Sequence, residues 1–223
     1  MKYRHEWKHE INYADLLTLR MRLSAIMQTD SHAINNKYEI RSLYFDTPTD
    51  KALREKLDGV NYREKFRIRY YNGDTSFICL EKKSKINGLC AKISCPLSKE
   101  EAQMIADGST AWMHICDRPL CRELYAKMIS QRLSPKTIVD YTREPFIYPA
   151  GNVRVTIDYN IRTGYYNTDF LNPNTLTLPT PEAPYILEVK WDEFLPDIIK
   201  DAVSIPARHA SAFSKYAQCR VYG

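Results

Sequence analysis

The sequence predicts one α+β domain dominated by antiparallel strands, and three observations carry that expectation. Residues Tyr3–Ile11 alternate strictly, with Tyr3, His5, Trp7, His9 and Ile11 on one side and Arg4, Glu6, Lys8 and Glu10 on the other, the period-two signature of a strand. Asn72-Gly73 and Asn87-Gly88 separate strand-like runs, as tight hairpins require. From Ser98 the period changes, where Ser98-Lys99-Glu100-Glu101 forms a capping box that opens a helix. No internal repeat and no linker divides the 223 residues, a length that fits one large domain.

The elements follow in order. After the first strand, Asn12 is placed to cap a helix over Tyr13–Met27, with Leu16, Leu17, Leu19, Met21, Leu23, Ile26 and Met27 as its apolar stripe. Strands are expected at Tyr38–Phe45 and Gly59–Tyr71, with a short irregular or helical segment at Pro48–Lys56 between them. The hairpin at Tyr71–Asp74 returns through a strand at Thr75–Lys83, and Asn87-Gly88 turns into another at Leu89–Pro96. Helical segments are predicted to Ala106 and at Thr110–Ile115 and Pro119–Gln131. Strands resume at Thr137–Arg143 and Asn152–Tyr159. The stretch Thr163–Pro184, rich in Asn, Thr and Pro, reads as a long loop. A last strand at Tyr185–Trp191 precedes a helical C-terminus.

Composition narrows the functional classes. A hydrophobic share of 44% suffices for a core, and 26% charged residues are ordinary for a soluble protein. No run of about 18 apolar residues occurs, so no membrane span is expected. The opening Met1-Lys2-Tyr3-Arg4-His5-Glu6-Trp7-Lys8 has no apolar signal segment, so a cytoplasmic location is expected. Cys79, Cys90, Cys95, Cys116, Cys121 and Cys219 form no Cys-x-x-Cys pair, which points to reduced thiols rather than a metal or redox site. With 32 basic against 27 acidic residues the net charge is +5, too weak to imply nucleic acid but compatible with a small anionic substrate.

The distribution of charge says more. Arg63, Lys65, Arg67 and Arg69 share one face of a strand, with Phe66, Ile68 and Tyr70 opposite. Glu81 and Lys83 share a face, as do Lys92 and Ser94, then Arg154, Thr156 and Asp158, then Glu188 and Lys190. For any strand alone, a dry face and a wet face explain the pattern. Two details point further. Four adjacent basic side chains repel one another unless anions sit among them. Mixed Glu and Lys faces recur on three strands, which suits a polyanion with its metal. If the sheet curls into a barrel, these faces meet. Nine cations (Arg4, Lys8, Lys65, Arg67, Arg69, Lys83, Lys92, Arg154 and Lys190) and four carboxylates (Glu6, Glu81, Asp158 and Glu188) would then surround a lumen attractive to phosphate.

In order along the chain, Arg4-His5-Glu6-Trp7-Lys8, Tyr44-Phe45-Asp46-Thr47, Arg67-Ile68-Arg69, Glu81-Lys82-Lys83, Arg154-Val155-Thr156-Ile157-Asp158, Leu187-Glu188-Val189-Lys190 and Phe213-Ser214-Lys215-Tyr216 together resemble the polyphosphate polymerase domain of the vacuolar transporter chaperone (VTC) family, one of the triphosphate tunnel metalloenzymes. The resemblance spans nearly the whole chain. It implies an antiparallel eight-stranded β-barrel with flanking helices. It also implies growth of inorganic polyphosphate from ATP, with release of ADP, and a divalent cofactor, Mn2+ or Mg2+. By motif, Lys8 resembles the first-strand lysine, Arg67 and Arg69 the paired arginines, and Lys83 and Lys92 the lysines of the next two strands. Glu188 resembles the metal-binding glutamate, assisted by Glu6 or Glu81. Ser214 and Lys215 resemble the phosphate-contacting pair of the last helix. Lys190 joins the cations around the chain, and Arg4, Lys65 and Arg154 are further phosphate-binding candidates. Arg4 stands where the related phosphatases and cyclases carry Glu, which favours the polymerase branch. Ser94 and Ala212 stand where basic residues are expected, and both lower the positive charge. The eukaryotic members' SPX domain and membrane helices have no counterpart here, so neither inositol-phosphate control nor coupled membrane export is expected.

Simpler readings stand beside these. Glu188 and Lys190 could be a cross-strand ion pair, Ser214 and Lys215 a solvated helical turn, and Asp158 a partner of Arg154 two residues away. His5 and His9 read as packing or surface residues, and Tyr44 and Asp46 as anchors of the turn before Pro48. Functionally, a tripolyphosphate or nucleoside-triphosphate hydrolase, and a polyphosphate-binding module without turnover, compete with the polymerase.

Overall fold

The computed structural model describes residues 3–182, 184–206, 208 and 210–221. Strand β1 (His5–Ile11) leads into helix α1 (Tyr13–Ile26), where the Asn12 side chain accepts from the Asp15 N–H and the Asp15 carboxylate accepts from the Asn12 N–H. Both orphan donors at the helix start are thereby satisfied. The buried stripe of α1 is Leu16, Leu19 and Leu23, with Met27 beyond it. Leu17 and Met21, expected in that stripe, are 46% and 70% exposed, because they lie on the flank away from the sheet.

A two-residue strand β2 (Gln28–Thr29) precedes β3 (Tyr38–Asp46), helix α2 (Lys51–Leu57) and β4 (Tyr62–Tyr71). Asn72 and Gly73 both take positive φ, at 52° and 71°, and close the hairpin to β5 (Asp74–Ile86) as expected. Asn87 and Gly88 repeat the device before β6 (Leu89–Leu97). Helix α3 (Lys99–Ala106) carries the predicted Ser98–Glu101 capping box. A 3-10 turn at Ala111–Ile115 leads to α4 (Pro119–Gln131), then β7 (Ser134–Tyr148) and β8 (Val153–Thr163). Among its described residues the long loop holds one two-residue strand, β9 (Leu178–Pro179). The chain ends with β10 (Tyr185–Trp191), α5 (Asp197–Val203) and α6 (Lys215–Val221).

The eight long strands form one antiparallel sheet in the order β1-β10-β8-β7-β3-β4-β5-β6. The sheet curls until its two edges meet, where Arg4 N–H donates to Cys90 O at 3.0 Å and Cys90 N–H to Arg4 O at 3.3 Å. Outward side chains build two cores. Leu43, Phe45, Phe66, Ile68, Ile78 and Leu80 pack under α3 and α4, while Val155, Ile157, Leu187 and Val189 pack under α1 and α5. Each fully buried aliphatic side chain contributes roughly 1.5–3 kcal/mol, so these helices hold the curvature that brings the charged faces together. Inward-facing Ile40, Tyr44, Val139, Ile161 and Ile186 form a third, smaller cluster with Tyr216 and Cys219 of α6. That apolar layer fills part of the interior and leaves the rest to charge.

Candidate functional site

The remaining interior is a cavity of about 500 Å³ lined by fourteen Lys or Arg residues and two carboxylates, Glu6 and Glu188. Glu81 and Asp158 lie beneath its wall at 3% and 0% exposure. The nine expected cations all face it. They are joined by Lys56, Arg63, Lys85, Arg143 and Lys215. Even with Asp192 and Asp30, which hold Arg4 and Arg154 at the rim, these four carboxylates leave the fourteen cations in excess, so the space attracts a polyanion.

Strand register decides which cations are neutralised. Arg67 lies opposite Glu81, and its Nε and Nη2 donate to Glu81 Oε2 at 2.7 and 2.6 Å while Nη1 donates to Tyr44 OH at 2.7 Å. Arg69, 3% exposed, lies opposite Cys79 and is instead held by Ser42 Oγ at 3.1 Å and Tyr141 OH at 2.8 Å. Lys65 lies opposite Lys83, which lies opposite Lys92, so three lysines form a ladder across β4, β5 and β6. Two of them find carboxylates: Lys83 reaches Glu6 at 2.8 Å and Lys92 reaches Glu81 at 3.0 Å. Lys65 has Ser214 Oγ at 3.0 Å. Burial and then the like charges of Lys83, Lys8, Lys56 and Arg63 bring the Lys65 ammonium down to about 7.

A second cluster joins β1 to β10. Glu188 is 2.6 Å from Lys190, 3.2 Å from Arg143 and 3.9 Å from Lys8, and Glu6 is 3.1 Å from Lys8 and 3.6 Å from Lys190. Burial and Glu188 push the Glu6 carboxyl upward, but Lys83, Lys8 and Lys190 outweigh them and hold it at about 2. Burial is likewise overridden at Glu188, which its three cations keep well below the usual carboxylate range. For Lys190 burial wins against the neighbouring carboxylates, and its ammonium falls to about 8.

Asp158 does not pair with Arg154. It accepts two bonds from Arg143, at 2.6 and 2.7 Å, and one from Lys215 Nζ at 2.5 Å, because Arg143 is its register partner on β7. Arg154 reaches Asp30 at 3.1 Å instead. Arg4 lines the cavity but is anchored to Asp192 at 2.8 Å and to the Asn152 carbonyl. Tyr44 and Asp46, read together as turn anchors, divide. Asp46 anchors the turn, accepting from the N–H groups of Thr47, Ala52 and Leu53 and from Tyr216 OH at 2.6 Å. Tyr44 faces the cavity beside Arg67. His5 stacks on Trp191, in keeping with a packing role.

The sequence reading missed Arg143, Tyr71 and Tyr141. Tyr141-Thr142-Arg143 carries the right alternation, and following its face inward would have found Arg143 and Tyr141. Tyr141 stands behind several cations: its ring is 4.6 Å from Lys215 Nζ, 5.5 Å from the Arg143 guanidinium and 5.8 Å from that of Arg69.

For a divalent ion, Glu6 and Glu188 are the adjacent pair. Both lie within 4 Å of Lys8 and of Lys190. A hard cation held by one or two carboxylates completes its shell with water and phosphate oxygens, so this donor set fits Mn2+ or Mg2+. Glu81, the other assisting candidate, is paired with Arg67 and Lys92 on β4 and β6. Among the described residues no three His, Cys, Asp or Glu side chains converge as a metal cage.

A curled antiparallel sheet with a cation-lined bore is the fold of the triphosphate tunnel metalloenzymes. The family model of the VTC domain matches residues 3–222, and the chain belongs to that family. Solved structures agree on the fold. HpAC1 from Hippeastrum, described as having a dominant triphosphatase activity, superposes with a TM-score of 0.57 at 14% identity, over 97% of this chain and 94% of its own. A Bacillus halodurans protein provisionally assigned as an adenylate cyclase gives 0.55 at 16% identity, covering 92% and 94%. PH1012 from Pyrococcus horikoshii gives 0.53 at 12% identity, covering 97% and 99%. A search of curated proteins finds no match. Among the described residues, no helix is long and apolar enough to cross a membrane.

Proposed function

We propose that this protein is a metal-dependent phosphotransferase that extends inorganic polyphosphate from ATP inside the tunnel and releases ADP. The observation that carries this reading is the lysine ladder Lys65–Lys83–Lys92 on the cavity wall. Like charges directly opposite on neighbouring strands are destabilising. Glu6 and Glu81 offset Lys83 and Lys92, but Lys65 has no carboxylate among the described residues, and an anion longer than one phosphate lying along the ladder would relieve all three. Membership of the VTC-domain family favours a polymer end as the acceptor, as does Arg4 on the first strand.

In this reading Arg67 and Arg69, about 7 Å apart along one face of β4, grip successive phosphates with planar forks. Lys8, Lys83, Lys92, Lys190 and Lys215 act as point charges that offset the charge spreading over the phosphoryl oxygens. Lys65 and Ser214 meet the anion at the other end of the β4 row. Arg154 contributes from the rim. Glu188, with Glu6, would hold the divalent ion, which when bound draws charge off the phosphate oxygens. An ionised phosphate acceptor carries no proton that must be removed, so that transfer needs no general base.

Hydrolysis is the second reading, favoured by the likeness to HpAC1 and its described triphosphatase activity. Incubating the protein with ATP and Mn2+ or Mg2+ and resolving the products on a gel separates the two. Long phosphate chains support the polymerase, and orthophosphate without chains overturns it in favour of the hydrolase. Arg67→Ala should abolish either product while the fold survives, since Glu81 keeps Lys92 and Arg69 as partners.

A further inference from the structure

Lys65 and Ser214 stand apart from the ion-pair network. Lys65 Nζ lies 3.0 Å from Ser214 Oγ and 5.3 Å from the centre of the Tyr216 ring, and among the described residues no carboxylate pairs with it. An amine at hydrogen-bond distance from a hydroxyl, and kept short of full protonation, is how a Ser–Lys pair makes a nucleophile. With the ammonium brought down to about 7 by burial and neighbouring cations, a large share of Lys65 is free amine near neutrality. Ser214 Oγ accepts from the Lys65 ammonium and from the Ala217 N–H at 3.3 Å, which orients the side chain, and once Lys65 has lost its proton the hydroxyl hydrogen turns to the amine. Arg67 is the next inward residue on β4, so the hydroxyl sits at the edge of the cations that would grip a triphosphate.

We propose that Ser214 is a phosphoryl acceptor with Lys65 as its base, so that the protein phosphorylates itself at Ser214 from a nucleoside triphosphate. Lys65 Nζ takes the Ser214 proton as Oγ bonds to the γ-phosphorus. The bond from that phosphorus to the β,γ-bridging oxygen breaks, and the nucleoside diphosphate leaves with the electron pair. The product is a phosphoserine beside an ammonium ion. The inference rests on the triphosphate reading of the tunnel and goes beyond it, because the acceptor is the protein's own hydroxyl.

The test is incubation with γ-labelled ATP and Mn2+ or Mg2+, an acid quench, and peptide mapping, with ATP consumption followed in parallel. The expected result is an acid-stable label on the Ser214 peptide that is absent in Ser214→Ala and partly retained in Ser214→Thr. Lys65→Arg should slow labelling by roughly 10²-fold or more, the usual contribution of a general base. It should also flatten the pH profile, which in the native chain rises through a midpoint above about 7, because the bound triphosphate raises the Lys65 ammonium and frees the amine only at higher pH. The groups facing Lys65 in that profile are Ser214, Tyr216, Lys83, Lys8, Lys56 and Arg63, and arginine cannot give up its proton to replace it. ATP consumption without label on Ser214, or an acid-labile label on Lys or His, overturns this inference alone. Failure to bind or consume any triphosphate overturns the reading beneath it as well.

Discussion

Replacing Glu81 by glutamine keeps the shape of the side chain and removes the charge on which two buried guanidinium groups lean. Arg67 Nε and Nη2 lie 2.7 and 2.6 Å from Glu81, and Arg69 Nη1 lies 3.9 Å away. The Glu81 and Arg69 side chains are each 4% exposed and that of Arg67 is 17%, so solvent cannot take over. Removing one partner of a buried ion pair costs about 3–5 kcal/mol, because the other charge is left unpaired in a poor solvent. Lys92, whose side chain is 54% exposed, turns to water and adds little. At this chain length each kcal/mol moves Tm by roughly 2–4 °C, so the free variant should melt roughly 6–20 °C below the native protein.

Tripolyphosphate would return the missing negative charge, so saturating ligand should raise the melting point of the variant more than that of the native chain. Thermal denaturation with and without tripolyphosphate measures both quantities. A free variant that melts within roughly 2 °C of the native protein would refute the argument. So would equal ligand-induced shifts in the two proteins.

Glu188→Gln should raise the metal concentration for half-maximal activity by roughly tenfold or more. An unchanged Mn2+ or Mg2+ titration would move the ion to another carboxylate. Tripolyphosphate binding should take up protons near neutral pH, because an arriving anion raises the lysines that burial depresses to about 7 at Lys65 and about 8 at Lys190. The sign follows: affinity is highest below about 7, where both are already charged, and falls as pH rises through about 8, where binding must first protonate them. Calorimetric titration at pH 7.5 in buffers of different ionisation heat checks this, and zero net uptake would contradict it. Tyr216→Phe removes a 2.6 Å hydrogen bond to buried Asp46, a bond to a charged group worth about 1.5–3 kcal/mol. Chemical denaturation should show that loss, and hydrogen exchange in α6 should rise with it.

Much of the fold was legible because its signals are local. Asn12 with Asp15, and Ser98 with Glu101, sit three residues apart, and the bonds they make need no distant partner. The Asn-Gly turns fix their hairpins for the same reason. Closure was not legible in this way, since the bridge from Arg4 to Cys90 joins strands that share no turn. Asp158 shows the limit most clearly. Sequence proximity offered Arg154 on the same face, but residues two apart on a strand are separated by about 7 Å, whereas directly opposite residues on neighbouring strands lie about 4.5–5.5 Å apart. Arg143 holds that opposite place, and it takes the carboxylate.

The same geometry explains why one strand carries four basic residues with different fates. Inward alternation was readable from Arg63 to Arg69, but what each residue meets depends on the register of β5. That register gives Arg67 a glutamate, Arg69 a cysteine and Lys65 a lysine. A shift of two residues along β5 would keep every side chain on its face and place Glu81 opposite Arg69 instead. The hairpin at Asn72-Gly73 therefore does more than reverse the chain. By fixing which inward residue faces Glu81, it leaves Lys65 without a carboxylate and beside Ser214, where an amine near its titration point meets a hydroxyl.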